Sequence, residues 1–505
     1  MASTFETVFE SEVLVVGGGL AGMLAALEAS MEGASVALFT KGRVGLSGSS
    51  AISQTVFLVF EGERVEDFLK GVYEAGRKLN DLSLLKIVIE RGASAVRRLQ
   101  ELGVPLHGGR VNEDGSRFYS IRRGRSADLV LPLREAFLFR GIPVYEGFQL
   151  IDLIKDGDYV NGALFMKDGK IFLVGAKAVV LATGGYARIY SYNDNTVHTT
   201  GEGLISALKT GAKLVDLEFV QFYPYWLVSP AWVGIYASLF ALGARLKNSK
   251  GEYFLSKYPK GELETRDVLA REIFLQDEVF LDLSSLSDSI IEEINPILYK
   301  VLRKYGRDNL KVSPVAHFTM GGIKIDDSCF TGVGGLFACG ECAAGVHGAN
   351  RLGGMALTEC ATLGLLAGRV SAQYAKGVEP KKVRVEAPSL PKEGDDPLID
   401  LEKSLGKVMW KYAGILRDEE SLKLAMEEIY KLKECFEMRK PKSLEHWLRL
   451  KSMFELSELL IQASLLRRES RGAHWRSDFP REDEAWQKHI AFSRIHDKIF
   501  LELLS

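Results

Sequence analysis

Residues 11–40 read SEVLVVGGGLAGMLAALEASMEGASVALFT. The β-branched run SEVLVV predicts a strand, LAALEASMEG has the apolar spacing of a helix, and ASVALFT predicts a second strand. Between the first strand and the helix, Gly17, Gly19 and Gly22 fit the pattern G-x-G-x-x-G. Glycines at this spacing permit a tight turn and let a pyrophosphate approach the N-terminus of the helix. The stretch therefore predicts a strand–turn–helix site for a dinucleotide cofactor.

The end of the second strand narrows the choice of cofactor. Where an acidic residue usually binds the ribose hydroxyls of NAD, this chain has Thr40, which argues against NAD and leaves FAD open. The next segment, KGRVGLSGSSAISQ at residues 41–54, is rich in glycine and serine. Its composition suits a surface loop and a cofactor-binding loop equally well.

A second centre lies at residues 314–364, which include PVAHFTMGGI and HGANRLGGMAL. His317 stands beside a Gly-Gly pair, Arg351 is surrounded by glycines, and an apolar segment with helical character follows from Ala356. Each feature alone is typical of ordinary glycine-rich turns. Together, a histidine, an arginine and the positive end of a helix favour an anionic substrate over a planar cofactor.

The composition indicates a soluble globular protein with several domains. At 505 residues the chain is too long for one ordinary core, so roughly two to four domains are expected. The formal net charge of −2 gives no reason to expect a nucleic acid or an anionic membrane as a partner. The five cysteines do not make a disulfide framework and favour reduced thiols in a cytosolic setting. No basic segment precedes the first apolar run, so no secretory signal is expected.

One uncharged stretch, residues 219–244, is long enough to span a bilayer. It contains Gln221, Pro224, Ser229 and Pro230, which would break a helix or remain unsatisfied in lipid. A segment buried within protein is therefore expected, with no membrane span.

The remaining segments predict the order of the elements. Residues 63–103 have the pattern of two amphipathic helices, a basic cluster lies between Arg110 and Arg134, and residues 145–185 predict a β-meander with turns at Asp156-Gly157 and Asp168-Gly169. Residues 376–397 are rich in proline and lysine and predict a linker. Residues 398–505 are almost wholly helical in pattern.

The motifs of the chain, taken in order, resemble those of a known family. They are VVGGGLAG, LFTKG, SGSSAISQ, LATGGYAR, HTTGEG, LEFVQFYP, ETRDVLAREI, PVAHFTMGGI, GLFACGE, HGANRLGG and LLRRESRGAHWRSDFP. Over nearly its whole length the chain resembles the flavoprotein subunits of succinate dehydrogenase and fumarate reductase and their relative L-aspartate oxidase. The resemblance implies an α/β fold, with a discontinuous Rossmann-like FAD-binding domain, an inserted α+β capping domain and a C-terminal helical domain.

The expected boundaries follow from this resemblance and from the composition. The two parts of the FAD-binding domain are residues 1–218 and 317–375, the capping domain is 219–316, the linker is 376–397, and the C-terminal helical domain is 398–505.

The resemblance implies FAD as the cofactor. The expected cofactor-binding residues are Gly17, Gly19, Leu20, Ala21, Gly22, Thr40, Lys41, Ser47, Gly48, Ser49, Ala182, Thr183, Gly184, Glu202, Glu341, Arg351, Ala356 and Leu357. Of these, Glu341 is expected to hold ribose hydroxyls. Some succinate-oxidising members attach FAD covalently through a histidine whose place is taken here by Ser49, so FAD is expected to be non-covalent. A non-covalent flavin is less oxidising, which suits fumarate reduction or aspartate oxidation.

The resemblance also implies a substrate pocket. His317 and Arg351 match the family's carboxylate-binding residues, and Arg266 matches the arginine that donates a proton to the substrate. The residues alone leave open that Arg266 pairs with Glu264 or Asp267 on a helix surface.

Two positions depart from the family pattern. Tyr223 occupies the place of a substrate-binding histidine, and it can donate a hydrogen bond but carries no positive charge at neutral pH. Ser238 and Leu239 align with the family's T-E-G, so a hydroxyl is kept as a candidate substrate ligand while the carboxylate that relays protons is lost. The departures predict a changed substrate, a slower proton supply or a lost activity.

Cys339-x-x-Cys342 flanks Glu341. A dithiol that exchanges electrons with a flavin is one interpretation, and packing of two small apolar side chains is favoured over it. No metal site is expected, because a second pair of ligands is missing.

These features predict an FAD-dependent oxidoreductase of the fumarate reductase or succinate dehydrogenase type, acting on CH–CH groups of a small dicarboxylate. The alternatives are L-aspartate oxidase and a flavin-carrying electron-transfer subunit with a degenerate dicarboxylate site. A respiratory enzyme of this kind needs a separate iron–sulfur electron-transfer subunit. We expect a cytoplasmic location, with any attachment to the inner face of a membrane made through partner subunits.

Overall fold

A computed structural model describes residues 8–121, 127–379, 388–495 and 498–504. The helices are α1 (Leu20–Met31), α2 (Val65–Ala75), α3 (Leu82–Glu101), α4 (Ala127–Arg140), α5 (Glu202–Thr210), α6 (Ala237–Ala241), α7 (Arg266–Phe274), α8 (Asp288–Ile294), α9 (Pro296–Tyr305), α10 (Met355–Lys376), α11 (Ile399–Tyr412), α12 (Glu419–Met438) and α13 (Leu444–Leu466). The strands are β1 (Val8–Val16), β2 (Val36–Thr40), β3 (Val56–Phe60), β4 (His107–Val111), β5 (Ser116–Ser120), β6 (Val144–Glu146), β7 (Gln149–Asp156), β8 (Tyr159–Lys167), β9 (Lys170–Leu181), β10 (Leu214–Val215), β11 (Val220–Ser229), β12 (Val233–Gly234), β13 (Arg245–Asn248), β14 (Val279–Asp282), β15 (Lys311–Thr319), β16 (Gly322–Ile323), β17 (Leu336–Ala338), β18 (His489–Ile495) and β19 (Lys498–Leu504).

The main sheet has the strand order β6-β2-β1-β9-β8-β7, and β17 also pairs with β9. The pairs β6–β2, β2–β1, β1–β9 and β9–β17 are parallel, as expected for buried strands of continuous apolar sequence. Helix α10 approaches the backbone of α1 closely because Gly364 and Gly368 lack side chains: a Cβ at Gly364 would lie 2.6 Å from the carbonyl oxygen of Ala21. The predicted strand–turn–helix–strand unit is confirmed as β1, α1 and β2.

The predicted β-meander is confirmed as β7, β8 and β9, which pair in antiparallel order. Asp168 and Gly169, in the second turn, have φ of 51° and 73°, the left-handed conformation that tight hairpins require. Residues 63–103 form the two predicted helices, α2 and α3.

The capping region contains a five-stranded sheet of order β12-β11-β15-β14-β13 together with helices α6 to α9. It has its own core, which includes Tyr223, Leu227, Leu239 and Leu269. Within residues 219–244 the prediction of a buried segment holds for most of β11, whereas parts of the stretch after it, including Trp232 and Leu242, are exposed. Among the described residues, no helix combines the length and apolar character that crossing a bilayer requires.

The long antiparallel pair of β11 and β15 lies within this capping sheet. Gln221 pairs with Phe318 and Tyr223 with Val315, so residues of the two strands lie next to each other. The proposed domain boundaries at 218 and 316 stay a prediction.

The C-terminal region begins with the three helices α11, α12 and α13, which confirms a helical domain. The expectation of an almost wholly helical segment to residue 505 is wrong beyond Leu466. Strands β18 and β19 form a hairpin, and Leu214 of β10 pairs with Phe492 of β18. This partner strand lies far away in the sequence, and local periodicity cannot reveal such a pairing. Of the predicted linker, residues 380–387 lie outside the described residues, as do residues 122–126 of the basic cluster.

A buried ion-pair network anchors the end of α13. Arg467 is fully buried and donates to Glu218 (2.7 Å), to Glu469 (3.0 Å) and to the backbone carbonyls of Trp486 and Lys488 (2.8 Å each). Because Glu218 directly precedes the capping region, the network ties the C-terminal domain to the start of β11.

Replacing Arg467 by methionine is expected to destabilise the protein by about 3–5 kcal/mol, because the carboxylate of Glu218 would stay buried without its cation. Thermal unfolding of the purified variant, followed by circular dichroism, measures the change. Arg468→Met is the matched control, since Arg468 is exposed in the native chain. Equal unfolding temperatures for the two variants would contradict the structural role of Arg467.

Candidate active site

The turn between β1 and α1 is built for close approach of a ligand. Gly17 has a φ of 118°, and a Cβ there would overlap the carbonyl oxygen of Ala182. Gly19 is the N-cap of α1 without a side-chain cap, and its nearest neighbour is the Ser50 hydroxyl oxygen at 3.6 Å from an added Cβ. The N-terminus of α1 therefore offers backbone N–H groups to an anion.

The residues around this turn leave open space and include buried polar atoms without a hydrogen-bond partner. A Cβ at Gly48 would meet nothing within 4 Å, and one at Gly184 would meet only Thr199, at 3.7 Å. The Oγ of Ser49 and the Oγ1 of Thr183 are buried without a hydrogen-bond partner among the described residues. Buried hydroxyl groups are normally paired, so these two indicate a polar ligand in the space. The residues present therefore fit a dinucleotide cofactor.

Lys41 and Glu202, both predicted to line the cofactor, bind each other. Lys41 Nζ lies 2.8 Å from Glu202 Oε1 and 3.0 Å from the hydroxyl of Thr200. Burial opposes ionisation of both groups, but Lys41 holds the pKa of the Glu202 carboxyl below its usual value. The pair therefore stays charged and holds the end of β2 against the N-terminus of α5.

The other predicted cofactor residues take varied positions. Leu20 and Ala21 are buried in α1, Thr40 ends β2, Ala182 follows β9, and Ala356 and Leu357 lie in the first turn of α10. Ser47 donates its hydroxyl to the carbonyl of Arg43 at 2.7 Å, so that donor is already used locally. Their roles stay predictions.

Glu341 is buried beside the glycine turn that follows β9. Burial raises the pKa of this carboxyl to about 7, and its Oε1 accepts the backbone N–H of Thr319 at 3.1 Å. A Cβ at Gly185 would overlap Glu341, so glycine is needed there. A carboxyl group with a pKa of about 7 can either accept a hydrogen bond from a ribityl or ribose hydroxyl or donate one to it.

His198 was missed by the sequence interpretation. Its Nδ1 is buried without a partner among the described residues, and burial together with Lys41 and Arg449 lowers the pKa of the imidazole to about 4. The only signal in the sequence was its place in HTTGEG, three residues before Gly201. It is a further candidate cofactor contact.

The structure brings Arg266 and Arg351 together at one amide. Arg266, the first residue of α7, donates its Nη1 to Gln221 Oε1 at 2.9 Å, and Arg351 donates its Nη2 to the same oxygen at 2.8 Å. The Gln221 Nε2 donates to Arg351 O at 2.8 Å and to Asn350 Oδ1 at 3.2 Å, which fixes the orientation of the amide. Gln221 lay in a quoted motif but was not predicted as a site residue.

Arg351 is buried and Arg266 is partly buried, and neither guanidinium group has a carboxylate in ion-pair contact among the described residues. Burial and the charge of Arg266 lower the pKa of Arg351 to about 9, and burial also lowers the pKa of Arg266. The Nε of Arg351 is buried without a partner among the described residues. The alternative in which Arg266 forms a surface pair with Glu264 or Asp267 is not what the structure has, since Arg266 contacts Gln221. The arrangement suits an anionic ligand.

Tyr223 and His317 border the same space. The Tyr223 hydroxyl donates to the carbonyl of Ile235 at 2.7 Å, its ring centre lies 5.1 Å from the Arg266 guanidinium carbon, and it lies 5.3 Å from the His317 ring. Burial raises the pKa of Tyr223, which keeps this side chain neutral. His317 Nδ1 lies 2.6 Å from Asp194 Oδ2, a partner that the sequence interpretation did not identify.

Ser238 lies on α6 with an exposed side chain, while the neighbouring Leu239 is buried in the core of the capping region. The structure brings together Arg266, Arg351, His317 and Tyr223 of the predicted substrate residues. The role of Ser238 stays a prediction.

Cys339 and Cys342 are free, buried thiols. Burial raises the pKa of Cys342 to about 11 and that of Cys339 well above its usual value, and Cys342 Sγ donates to the carbonyl of Leu181 at 3.2 Å. Thiols of raised pKa are poor nucleophiles, which agrees with the packing interpretation. In the parts of the chain that the structure describes, no cluster of histidine, cysteine and acidic side chains could hold a metal ion.

Comparison with known proteins identifies the family. A family model described as FAD binding domain matches residues 12–357, and one described as fumarate reductase flavoprotein C-term matches residues 402–502. A similar protein is a fumarate reductase (CoM/CoB) subunit of Methanothermobacter marburgensis, 30% identical over 98% of this chain and 99% of that protein. L-aspartate oxidase of Pyrococcus abyssi is 32% identical over 94% of this chain and 97% of its own.

Among solved structures, a FrdA variant of Escherichia coli quinol fumarate reductase superposes with a TM-score of 0.89 at 25% identity, over 99% of this chain and 97% of that one. The match to the FAD binding domain includes the turn between β1 and α1. The chain therefore belongs to the family of FAD-dependent oxidoreductases that comprises the fumarate reductase and succinate dehydrogenase flavoproteins and L-aspartate oxidase.

Proposed function

We propose that this protein transfers a hydride between FAD and a small dicarboxylate. The observation that carries the proposal is the pair of guanidinium groups of buried Arg351 and partly buried Arg266, which share the Oε1 of Gln221. Two such cations with one neutral acceptor between them favour a negatively charged ligand, and each charge-assisted hydrogen bond to a carboxylate contributes about 1.5–3 kcal/mol.

The cofactor is held by the chain in a defined way under this proposal. The N-terminus of α1, beside Gly17 and Gly19, would hold the pyrophosphate, and the unpaired hydroxyls of Ser49 and Thr183 would bind polar groups of the cofactor. Bound FAD supplies the two-electron redox chemistry. Ser49 provides no imidazole for covalent attachment, so the flavin is bound non-covalently.

The chain's own residues bind the substrate and supply the proton. Arg351 binds a carboxylate of the substrate, and His317 and Tyr223 border the pocket. Arg266 donates a proton to the substrate carbon opposite the flavin and stabilises the negative charge that develops there. Burial lowers the pKa of Arg266, which makes the proton easier to release than from an arginine in water.

Two substrate pairs are compatible with this site. Fumarate and succinate follow from the two arginines and from the similarity to fumarate reductase flavoproteins. Aspartate and iminoaspartate follow from the similarity to L-aspartate oxidases and from one observation in the pocket, the contact of His317 with Asp194. A flavin-carrying electron-transfer subunit without a substrate is the third alternative, and the first experiment below separates it from both.

The partner of the protein follows from the electron balance. Fumarate reduction needs a donor of two electrons, and the relative from Methanothermobacter marburgensis is named as one subunit of its enzyme. We therefore propose a separate iron–sulfur electron-transfer subunit for the fumarate activity. Aspartate oxidation would need only an oxidant for the reduced flavin.

Arg266→Ala is expected to slow reoxidation of the reduced flavin by fumarate about 10²- to 10⁴-fold, because the proton donor and the stabilising charge are both lost. The measurement is anaerobic stopped-flow absorbance of the dithionite-reduced protein after addition of fumarate, with iminoaspartate tested in parallel. The exposed Arg303 of the capping region provides a control, Arg303→Ala. If neither compound reoxidises the unmodified, FAD-loaded protein, the dicarboxylate function is wrong and the electron-transfer subunit remains.

Gln221→Glu is expected to weaken binding of a dicarboxylate about 10- to 100-fold, because the new carboxylate occupies both guanidinium groups that the ligand needs. Titration of succinate, followed by the change in flavin absorbance, gives the dissociation constant. FAD content should stay unchanged, and Gln373→Glu, at an exposed position of α10, serves as the control. Unaltered succinate affinity in Gln221→Glu would remove the central support for the proposed pocket.

Acid precipitation of the purified protein is expected to release all of its flavin into the supernatant, since Ser49 cannot form the histidyl bond. Absorbance of the supernatant and fluorescence of the pellet measure the two fractions. Flavin that remains with the washed pellet would show a covalent link and contradict the assignment of Ser49.

A further inference from the structure

The pair formed by His317 and Asp194 is a built feature of the site. His317 Nδ1 lies 2.6 Å from Asp194 Oδ2, and only 9% of the Asp194 side chain is exposed. The loop that carries Asp194 is hydrogen-bonded to β15 through Asp194 itself and through Asn195. Asn195 Nδ2 donates to the carbonyl of His317 at 3.0 Å, and Asp194 donates its own backbone N–H to the carbonyl of Ala316 at 3.2 Å.

This contact determines which ring nitrogen of His317 carries the hydrogen. A carboxylate only accepts hydrogen bonds, so Nδ1 must be the protonated nitrogen at this distance. A neutral imidazole then has a lone pair on Nε2. Among the described residues, Nε2 has no hydrogen-bond partner, and Tyr223, the neighbouring ring, donates its hydroxyl elsewhere, to Ile235.

The surroundings decide whether the ring takes a second proton. Four charged or titratable groups face the imidazole ring. They are Asp194, which contacts Nδ1, Arg351 from the loop before α10, Arg266 from α7 and Tyr223 from β11. Burial and the two arginines lower the pKa of His317, and Asp194 raises it without cancelling them. The ring is therefore neutral at pH 7.

We propose that Asp194 is a positioning residue that makes His317 Nε2 a hydrogen-bond and proton acceptor facing the substrate. The proposal rests on the proposed function for the identity of the pocket. A lone pair at Nε2 repels a bare carboxylate and accepts an N–H, so the pocket distinguishes dicarboxylates by whether they present a donor at this end. An α-amino dicarboxylate fits that requirement, with its two carboxylates on the arginines.

The proton step balances without any further reactant. The N–H bond of the substrate ammonium breaks, an Nε2–H bond forms, and the positive charge moves from the substrate onto the imidazole. Asp194 then lies against the imidazolium and compensates its charge. The substrate is left as a neutral amine, the form from which the neighbouring C–H can be oxidised.

The tautomer can be tested without any activity. In protein labelled with ¹⁵N-histidine and loaded with FAD, the His317 signals are assigned by their loss in His317→Gln. At pH 7 we expect Nδ1 to have the shift of a protonated nitrogen and Nε2 that of a lone pair. In Asp194→Asn the carboxylate that favours the imidazolium is gone, so the titration of the ring is expected to move to lower pH. A protonated Nε2 in the neutral ring of the unmodified protein would overturn the proposal.

The second measurement compares two ligands of equal length, succinate and L-aspartate, by anaerobic calorimetric titration at pH 7 of protein whose flavin is already reduced, so that neither ligand can be oxidised. Asp194→Asn is expected to shift the ratio of their dissociation constants at least tenfold toward succinate, whereas Asp194→Glu, which keeps a carboxylate, should retain most of the preference. The exposed Asp277 gives the control Asp277→Asn. If Asp194→Asn weakens the binding of both ligands equally, Asp194 has only a structural role and the proposal is overturned. If neither ligand binds the unmodified protein, the proposed function fails, and the nitrogen shifts alone decide whether Asp194 sets the tautomer.

Discussion

The site depends on two like charges held next to each other and partly removed from solvent. Arg266 and Arg351 both donate to Gln221 Oε1, and the charge of Arg266 opposes the ionisation of the buried Arg351. The three residues come from α7, from the loop before α10 and from β11, so the site depends on packing between separate parts of the chain. The resulting positive charge is what the proposed anionic substrate would neutralise.

Missing counterions distinguish the ligand site from the structural core better than unpaired polar atoms do. In the C-terminal domain, Arg467 is paired with the carboxylates of Glu218 and Glu469. Unpaired buried atoms occur there too, at Glu218 Oε2, just as they occur at the Nε of Arg351. Among the described residues, however, neither Arg351 nor Arg266 has a carboxylate in ion-pair contact. This difference indicates where an anionic ligand belongs.

The sequence predicted the parts of the structure that depend on neighbours along the chain. The turn at Gly17, the meander of β7 to β9 and helices α2 and α3 follow from local pattern, and motif resemblance selected Arg266, His317 and Arg351. Gln221, Asp194 and His198 were missed because their importance lies in contacts over long separations, such as the 123 positions between Asp194 and His317. On α6, Leu239 takes the buried position and the adjacent Ser238 is exposed, so the role of Ser238 stays a prediction.

The two departures from the family pattern bear on where the proposed proton chemistry takes place. Tyr223 uses its hydroxyl on Ile235, and Leu239 packs in the capping core, so neither contributes a charge to the pocket. The neighbouring strand β15 belongs to the same capping sheet and contributes His317, whose ring contacts the carboxylate of Asp194. A substrate bound as proposed would meet the cations of Arg266 and Arg351 and the acceptor nitrogen of His317. Under this proposal the arrangement of these groups, rather than the number of cations, decides which end of a dicarboxylate can carry an exchangeable proton.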